Sequence, residues 1–276
     1  RVVLDDCDAA LPELAPVVAA RDAGDLVGAA DELLQLLQRP ERCERLRWGV
    51  ITAEREAVSA SNERTRQAAL ELDRLLRPPP PSEARHPPAD ELLRGEIVVS
   101  GLHGAWQLRP EGGIDWRDRG PVADIEWAFS MNRHKFVNRL IEAWSLTGNP
   151  AYLVACDRLL GDWLLAEPTP PDLVHDAVWR ELEVGLRLCG PWPWLFFASA
   201  GRPEFRPTTR LAMLVSWHEQ ARYLQRHHGD HANHLLMEIC GLAMTAVVLP
   251  EFKQSADHLR YAAEQLAPQP ECLQAC

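Results

Sequence analysis

From Ile125 to Leu266 the chain repeats one plan: an apolar-periodic stretch of about 11–18 residues, a short turn marked by Gly or Pro, then another stretch. Segments of that length joined by turns that short run antiparallel to their neighbours. Phe129 to Leu146 reads as one amphipathic helix, stopped by Thr147-Gly148-Asn149-Pro150. Gly148 suits a left-handed C-terminal cap and Pro150 suits the start of the next helix. Tyr152 to Leu165 follows, ended by Pro168, Pro170 and Pro171. Val178 to Leu188, a break at Gly190-Pro191-Trp192-Pro193-Trp194, then Arg210 to His227, His234 to Val248 and Phe252 to Leu266 complete the series. The expected fold class is all-α, a ring or bundle of helical hairpins.

Upstream, residues 1–77 read as a helical segment, with Leu11, Leu14, Val17 and Val18, and later Leu26, Ala30, Leu33, Leu34 and Leu37, at helix spacing. Glu54 to Leu76 reads as a charged peripheral helix with a thin apolar stripe. Four consecutive prolines, Pro78 to Pro81, and Pro87-Pro88 place a linker at 78–90. Beyond it, 91–276 form the main unit. Its first part carries two short β-like runs, Glu96 to Ser100 and Ala105 to Leu108, separated by Gly101 and Gly104.

Composition narrows the function classes. Hydrophobic residues are 46% and charged residues 25%, the balance of a globular domain and not of a disordered or collagen-like chain. No stretch approaches the roughly 20 apolar residues of a membrane span. The net charge of −11 argues against a general nucleic-acid binder, although a local basic cleft can still take an anionic substrate. The seven cysteines are scattered, with neither CxxC pairs nor zinc spacing, so neither a disulfide framework nor a structural metal is expected. Arg1 is followed by Val2-Val3-Leu4-Asp5-Asp6, in which no signal peptide is legible. GxGxxG, GxxxxGK[ST] and GxSxG are all absent, which leaves nucleotide folds and α/β hydrolases unsupported.

Three polar groups carry potential chemistry. The densest is His227-His228-Gly229-Asp230-His231-Ala232-Asn233-His234, opening an apolar helix. Metal binding through His227 and His231 is the weakest reading, because Gly229 and Asp230 interrupt the helix spacing. Asn233 as an N-cap is a purely structural reading. In the catalytic reading, Asn233 and His234 sit in a first helical turn, where free N–H groups and the helix dipole favour an anion; Glu238, one turn on, orients the imidazole. The second group is Arg133 and His134, at a helix start, suited to a carboxylate or a sulfate but equally to a solvated helix end. The third is Glu183 and Arg187, an ordinary i,i+4 pair unless that face lines a cleft. Ten tryptophans, seven of them between Trp106 and Trp192, are individually core residues; as a cluster, Trp127 and Trp179 among them, they favour a sugar-stacking surface.

Several pieces then line up in order. They are Gly113-Ile-Asp-Trp116, Trp127-Ala-Phe-Ser-Met-Asn-Arg-His134, Ala143-Trp-Ser-Leu-Thr-Gly-Asn-Pro-Ala-Tyr152, Gly161-Asp-Trp163, Trp179 with Glu183 and Arg187, Ala232-Asn-His-Leu-Leu-Met-Glu238 with Gly241-Leu242, and Leu249-Pro-Glu-Phe252. Over roughly 90–266 this series resembles the N-terminal helical domain of the heparinase II/III-like polysaccharide lyases. The resemblance implies an incomplete α/α toroid, normally followed by an antiparallel β-sandwich, and β-elimination on a uronic-acid polysaccharide of the heparin, heparan or alginate kind. It implies a periplasmic or secreted protein and no cofactor. Asn233 and His234 match the family's neutralising and proton-transfer positions. Arg133, His134, Arg187, Glu238, Trp127 and Trp179 are the expected substrate contacts.

The family's later tyrosine helix and its β-sandwich have no counterpart before Cys276, and neither Tyr223 nor Tyr261 occupies the tyrosine's position. The expectation is a truncated lyase, inactive alone. Two alternatives remain open: a glycoside hydrolase on a similar ring, using two of Asp124, Glu126, Glu183 and Glu238, and a non-catalytic carbohydrate-binding remnant.

Overall fold

A computed structural model describes residues 1–42, 70, 74, 79–230 and 232–267. The expected helix at 54–76, apart from Leu70 and Arg74, lies outside the described residues, as do His231 and the last nine residues. The chain runs α1 (Val2–Asp6), α2 (Ala15–Asp22), α3 (Leu26–Leu37), α4 (Pro87–Leu93), β1 (Glu96–Val99) and β2 (Leu102–Ala105). Then come α5 (Ile125–Asn132), α6 (Lys135–Thr147), α7 (Ala151–Ala166), α8 (Glu181–Cys189), α9 (Pro191–Ala198), α10 (Pro207–His227), α11 (Ala232–Val248) and α12 (Lys253–Leu266). Among the described residues, no helix is long and apolar enough to cross a membrane.

The hairpins follow the turn chemistry. Gly148 caps α6 in the left-handed region (φ 71°), its N–H donating to the Trp144 carbonyl at 2.7 Å. Asn149 then accepts the Ala151 N–H at 3.0 Å and launches α7. α6 packs on α7, α8 on α11 and α11 on α12. α8 and α11 cross in direct backbone contact. A Cβ on Gly185 would lie 2.6 Å from the Glu238 Cα, and one on Gly241 would lie 2.7 Å from the Gly185 carbonyl oxygen. Only glycine lets two backbones approach so far.

Several boundaries differ from the sequence expectation. The single helix expected over 129–146 is two. His134 adopts φ 56°, ψ 25° and splits α5 from α6. No Gly or Pro marks the break, and the apolar period runs straight across it. The break expected at 190–194 is instead the start of α9. Pro191 and Pro193 stand in its first turn, where the missing N–H groups have no helical acceptor in any case. The second strand lies at 102–105 rather than 105–108, because Ser100 and Gly101, both at positive φ, form a two-residue hairpin turn. Ordered helix also begins inside the expected linker, at Pro87. The residues before it are tied to the α6–α7 turn: Asn149 donates to the Ala84 carbonyl (3.0 Å), and the His86 N–H donates to the Tyr152 hydroxyl (2.7 Å).

The N-terminal helices pack on α10, and one continuous core reaches from Val3 to Phe252. Polar bonds reinforce the junction. Arg42 makes a two-toothed pair with Glu251 (2.5 and 2.9 Å), both side chains buried, and the Lys253 ammonium donates to the Asp5 carbonyl at 2.6 Å. The centre of the core is aromatic. Trp163, Trp192 and Trp217 form successive edge-to-face contacts at 5.9 and 6.0 Å, and Trp163 tilts against Trp179 at 5.5 Å. Each such pair contributes about 0.5–1.5 kcal/mol beyond its burial. The tryptophans therefore fill the space between helices, and the sugar-stacking surface expected of the cluster does not form from Trp127 and Trp179.

Candidate functional site

An open cleft of about 590 Å³ lies where α5, the start of α8 and the start of α11 converge. Ile125 and Phe129 from α5 make its apolar wall. Arg180 and Glu181 enter at the head of α8, and Gly229, Asp230, His234 and Glu238 close the opposite side. The glycine crossing explains this placement. It holds α11 against α8 at Glu238 itself, so the face carrying His234 and Glu238 is brought beside Arg180.

Glu238 is buried, and its carboxylate accepts the Gly229 N–H at 2.7 Å. Burial raises its pKa, and the Gly229 bond offsets part of that rise. This bond also shapes the 227–230 turn, with help from His228. The Nδ1 of His228 meets the Gly229 carbonyl at 2.9 Å and its Nε2 meets the Tyr261 hydroxyl at 2.6 Å. His234 is half-buried and lines the cleft. Asn233 is exposed and is not among the lining residues. It stands one residue inside α11, not at the cap, and its Oδ1 accepts the His234 N–H at 3.1 Å.

The floor rests on Asp176. Its Oδ1 accepts the N–H groups of Val178 (2.9 Å) and Trp179 (2.8 Å), while its other oxygen takes the Arg117 guanidinium at 2.8 Å. Burial alone would raise this carboxyl's pKa, but the Trp179 N–H and Arg117 together hold it below the usual range. Arg180 lies over the Phe129 ring, 4.5 Å from its centroid, with its side chain 30% exposed. Asp176, Arg180, Glu181, His175 and Phe129 were not singled out in the sequence. Only Asp176 left a signal there, an acidic residue two positions ahead of an apolar segment, as in Asx-type turns.

The remaining expected contacts lie elsewhere. His134 is fully buried: the Trp192 N–H donates to its Nδ1 at 3.0 Å and Trp163 packs edge-on at 4.8 Å. Burial, with Arg187 nearby, holds its pKa well below the ordinary 6.5. Arg187 is equally buried and donates to the carbonyls of Asn132 and Val178 (both 2.8 Å) and to Gln220 (3.1 Å). Its rings are Trp163 and Trp179, and burial lowers its pKa to about 9. The expected Glu183–Arg187 pair is replaced. Glu183, also buried, takes Arg133 at 2.8 Å and Arg180 at 3.6 Å. Trp127 is wedged against Gly104 and Gly120, where any Cβ would meet its ring within 2.6 Å. Trp179 is buried, its carbonyl accepting the Tyr223 hydroxyl at 3.0 Å. A sugar cannot reach His134, Arg187, Trp127 or Trp179 in this structure. All four side chains are buried in the core and none lines the cleft. Arg133 faces a separate pocket beside β1.

The arrangement can therefore present an imidazole, a carboxyl group whose pKa burial raises and a guanidinium to one bound group. The model of the Heparinase II/III N-terminus family matches residues 3–271. The heparin-sulfate lyase of Pedobacter heparinus is 30% identical over 184 residues, covering 63% of this chain and 27% of that protein. The heparin-sulfate lyase of Bacteroides stercoris is 29% identical over 162 residues, covering 52% and 24%. The chain thus spans about a quarter of the length of these curated relatives. The crystal structure of heparan sulfate lyase HepC from Pedobacter heparinus aligns with TM-score 0.71 at 24% identity, over 98% of this chain and 39% of that one. The crystal structure of heparinase III gives 0.73 at 21% identity, over 97% and 38%. These structures share the incomplete helical toroid seen here.

Proposed function

Because the chain belongs to the Heparinase II/III N-terminus family, we propose that it supplies the toroid half of a polysaccharide lyase acting by β-elimination on uronic-acid polysaccharides of the heparin, heparan or alginate kind. The observation that carries this reading is the approach of His234 and Glu238, one helical turn apart, to Arg180 in a cleft open to solvent. Removing the C5 proton of a uronate sends negative charge onto the adjacent carboxylate, which needs a neutralising partner. Arg180 is suited to that task; the Asn233 amide, exposed next to His234 but outside the cleft lining, would have to turn toward the substrate to share it. His234 is suited to moving the proton, and the O4 leaving group needs an acid. We assign no acid within this chain, and on this reading the segment alone binds substrate without turning it over.

The test uses a protein that carries this segment together with the rest of its lyase. Elimination leaves a C4–C5 double bond that absorbs in the ultraviolet. His234→Ala is expected to lower that rate about 10²–10⁴-fold, the usual worth of a positioned proton-transfer group. If neither His234→Ala nor Asn233→Ala changed the rate, the site assignment would fail. One observation favours a second reading, a glycoside hydrolase: four carboxylates, Asp176, Glu181, Asp230 and Glu238, line the same cleft. Hydrolysis creates reducing ends without the ultraviolet signal, so the product spectrum separates the two.

A further inference from the structure

A second cavity, of about 220 Å³, lies on the other side of α5, between β1 and the head of α6. Ser100, Ser130, Arg133, Lys135 and Arg139 supply its polar groups, and no carboxylate lines it. In a chain of net charge −11 that is the reverse of the general bias. Lys135 is one of only two lysines, the other being Lys253. Lys135 and Arg139 are both exposed, stand one turn apart on α6, and have no carboxylate within 4 Å among the described residues. Arg133 is engaged by Glu183 at 2.8 Å and by the exposed Glu126 at 3.4 Å. Glu183 is shared with Arg180 of the cleft, so two guanidinium groups divide one buried carboxylate. Positive charge is therefore concentrated on the pocket side of Glu183, where Lys135 and Arg139 stand beside Arg133. The left-handed turn at His134 adds to it. By starting α6 afresh at Lys135, it places the positive end of a new helix dipole beside that lysine. The hairpin turn fixes Ser100 at the mouth.

We propose that this pocket is a second anion subsite, holding a sulfate or carboxylate group of an acidic glycan whose reacting sugar occupies the cleft. The proposal rests on the lyase reading for the identity of the glycan, while the pocket's preference for anionic oxygen stands on its own charges. Lys135 and Arg139 make the contacts, Arg133 sets the potential between the two sites, and the serines add hydroxyl donors.

The test is direct binding of a sulfated heparin oligosaccharide to this chain, measured by titration calorimetry at several salt concentrations. Inorganic sulfate and an unsulfated, neutral oligosaccharide serve as controls. Lys135→Ala/Arg139→Ala changes two exposed side chains, and its unfolding temperature is expected to match the parent's. The double variant is expected to weaken oligosaccharide binding about tenfold and to flatten its salt dependence. His234→Ala, which acts on the cleft, is expected to leave that salt dependence unchanged. If the parent binds the oligosaccharide and the double variant binds it equally well with the same salt slope, the pocket is not a subsite, and the lyase reading is untouched. If the chain takes inorganic sulfate here but no glycan, the pocket is a free-anion site and the glycan assignment is overturned. Binding of neither anion sinks the subsite and counts against an acidic substrate as well.

Discussion

His134 and His234 each follow a polar residue at the start of a helix, and in the sequence they look alike. One is sealed among Trp116, Trp163, Trp192 and Phe136; the other faces an open cleft. The difference lies in what surrounds each helix start. α6 begins beneath a layer of tryptophans with two indole N–H groups in need of acceptors: Trp163 finds Asn132 at 2.9 Å and Trp192 finds His134 at 3.0 Å. Satisfying them turns the polar residues inward and breaks the helix there, since a buried unpaired N–H is costly. α11 instead opens onto the cleft, beside Gly229 and Asp230. A polar pair at a helix start becomes a site only where the neighbouring elements leave it uncovered.

The comparison can be broken most sharply by truncating each histidine. His134→Ala removes the Trp192 acceptor, opens a cavity and leaves alanine at a positive φ. Together these are expected to cost about 3 kcal/mol in chemical denaturation. His234→Ala is expected to stay within about 0.5 kcal/mol of the parent. Equal costs would erase the distinction. His134→Asn, which tolerates the left-handed backbone, is expected to recover about 1 kcal/mol of that loss.

Next in size is the glycine crossing that holds the His234 face in place. Gly185→Ala forces a methyl onto the Glu238 backbone and is expected to cost about 1–3 kcal/mol. It is also expected to weaken oligosaccharide binding. An unchanged melting temperature would show that α8 and α11 are not locked together there.

Acid sharpens the comparison further. His134 is held well below 6.5, and burial with Arg222 nearby lowers His218 and His258 to about 4. Below pH 6.5 the unfolded chain takes up protons that these folded histidines refuse. Stability therefore falls as the pH drops from about 6.5 to about 4. Glu238, whose folded pKa is raised, works in the opposite sense and softens the slope. Denaturation curves at pH 7 and pH 5 are expected to show the loss, and His134→Asn is expected to reduce it. A flat profile in the parent would contradict the burial of all three. The smallest effect is expected at the exposed Arg133–Glu126 contact, where Glu126→Gln should shift stability by less than about 0.5 kcal/mol.

The hairpin plan was legible because periodicity and turn chemistry are local. Gly148 and the helices ending near Ala166, His227, Val248 and Leu266 follow from them directly. The break at His134 and the helix at Pro191 were not legible, since one comes from distant indole groups and the other from a proline pair that reads equally as a stop. At the site, His234 and Glu238 were readable from their i,i+4 spacing. Arg180 and Asp176 were not, because only the packing of α5 against α8 gives them a cleft to face. Arg187 and Trp179 were expected as substrate contacts on the condition that their face lines a cleft, and it faces the core instead.

The bare contact between Gly185 and Gly241 has one more implication. With no side chain between the two backbones, α11 lacks the cushion that lets a packed helix roll by a few degrees. The helix backbone that carries the imidazole is therefore set when the chain folds, and on the proposed lyase reading a sugar would spend little of its binding energy on moving it.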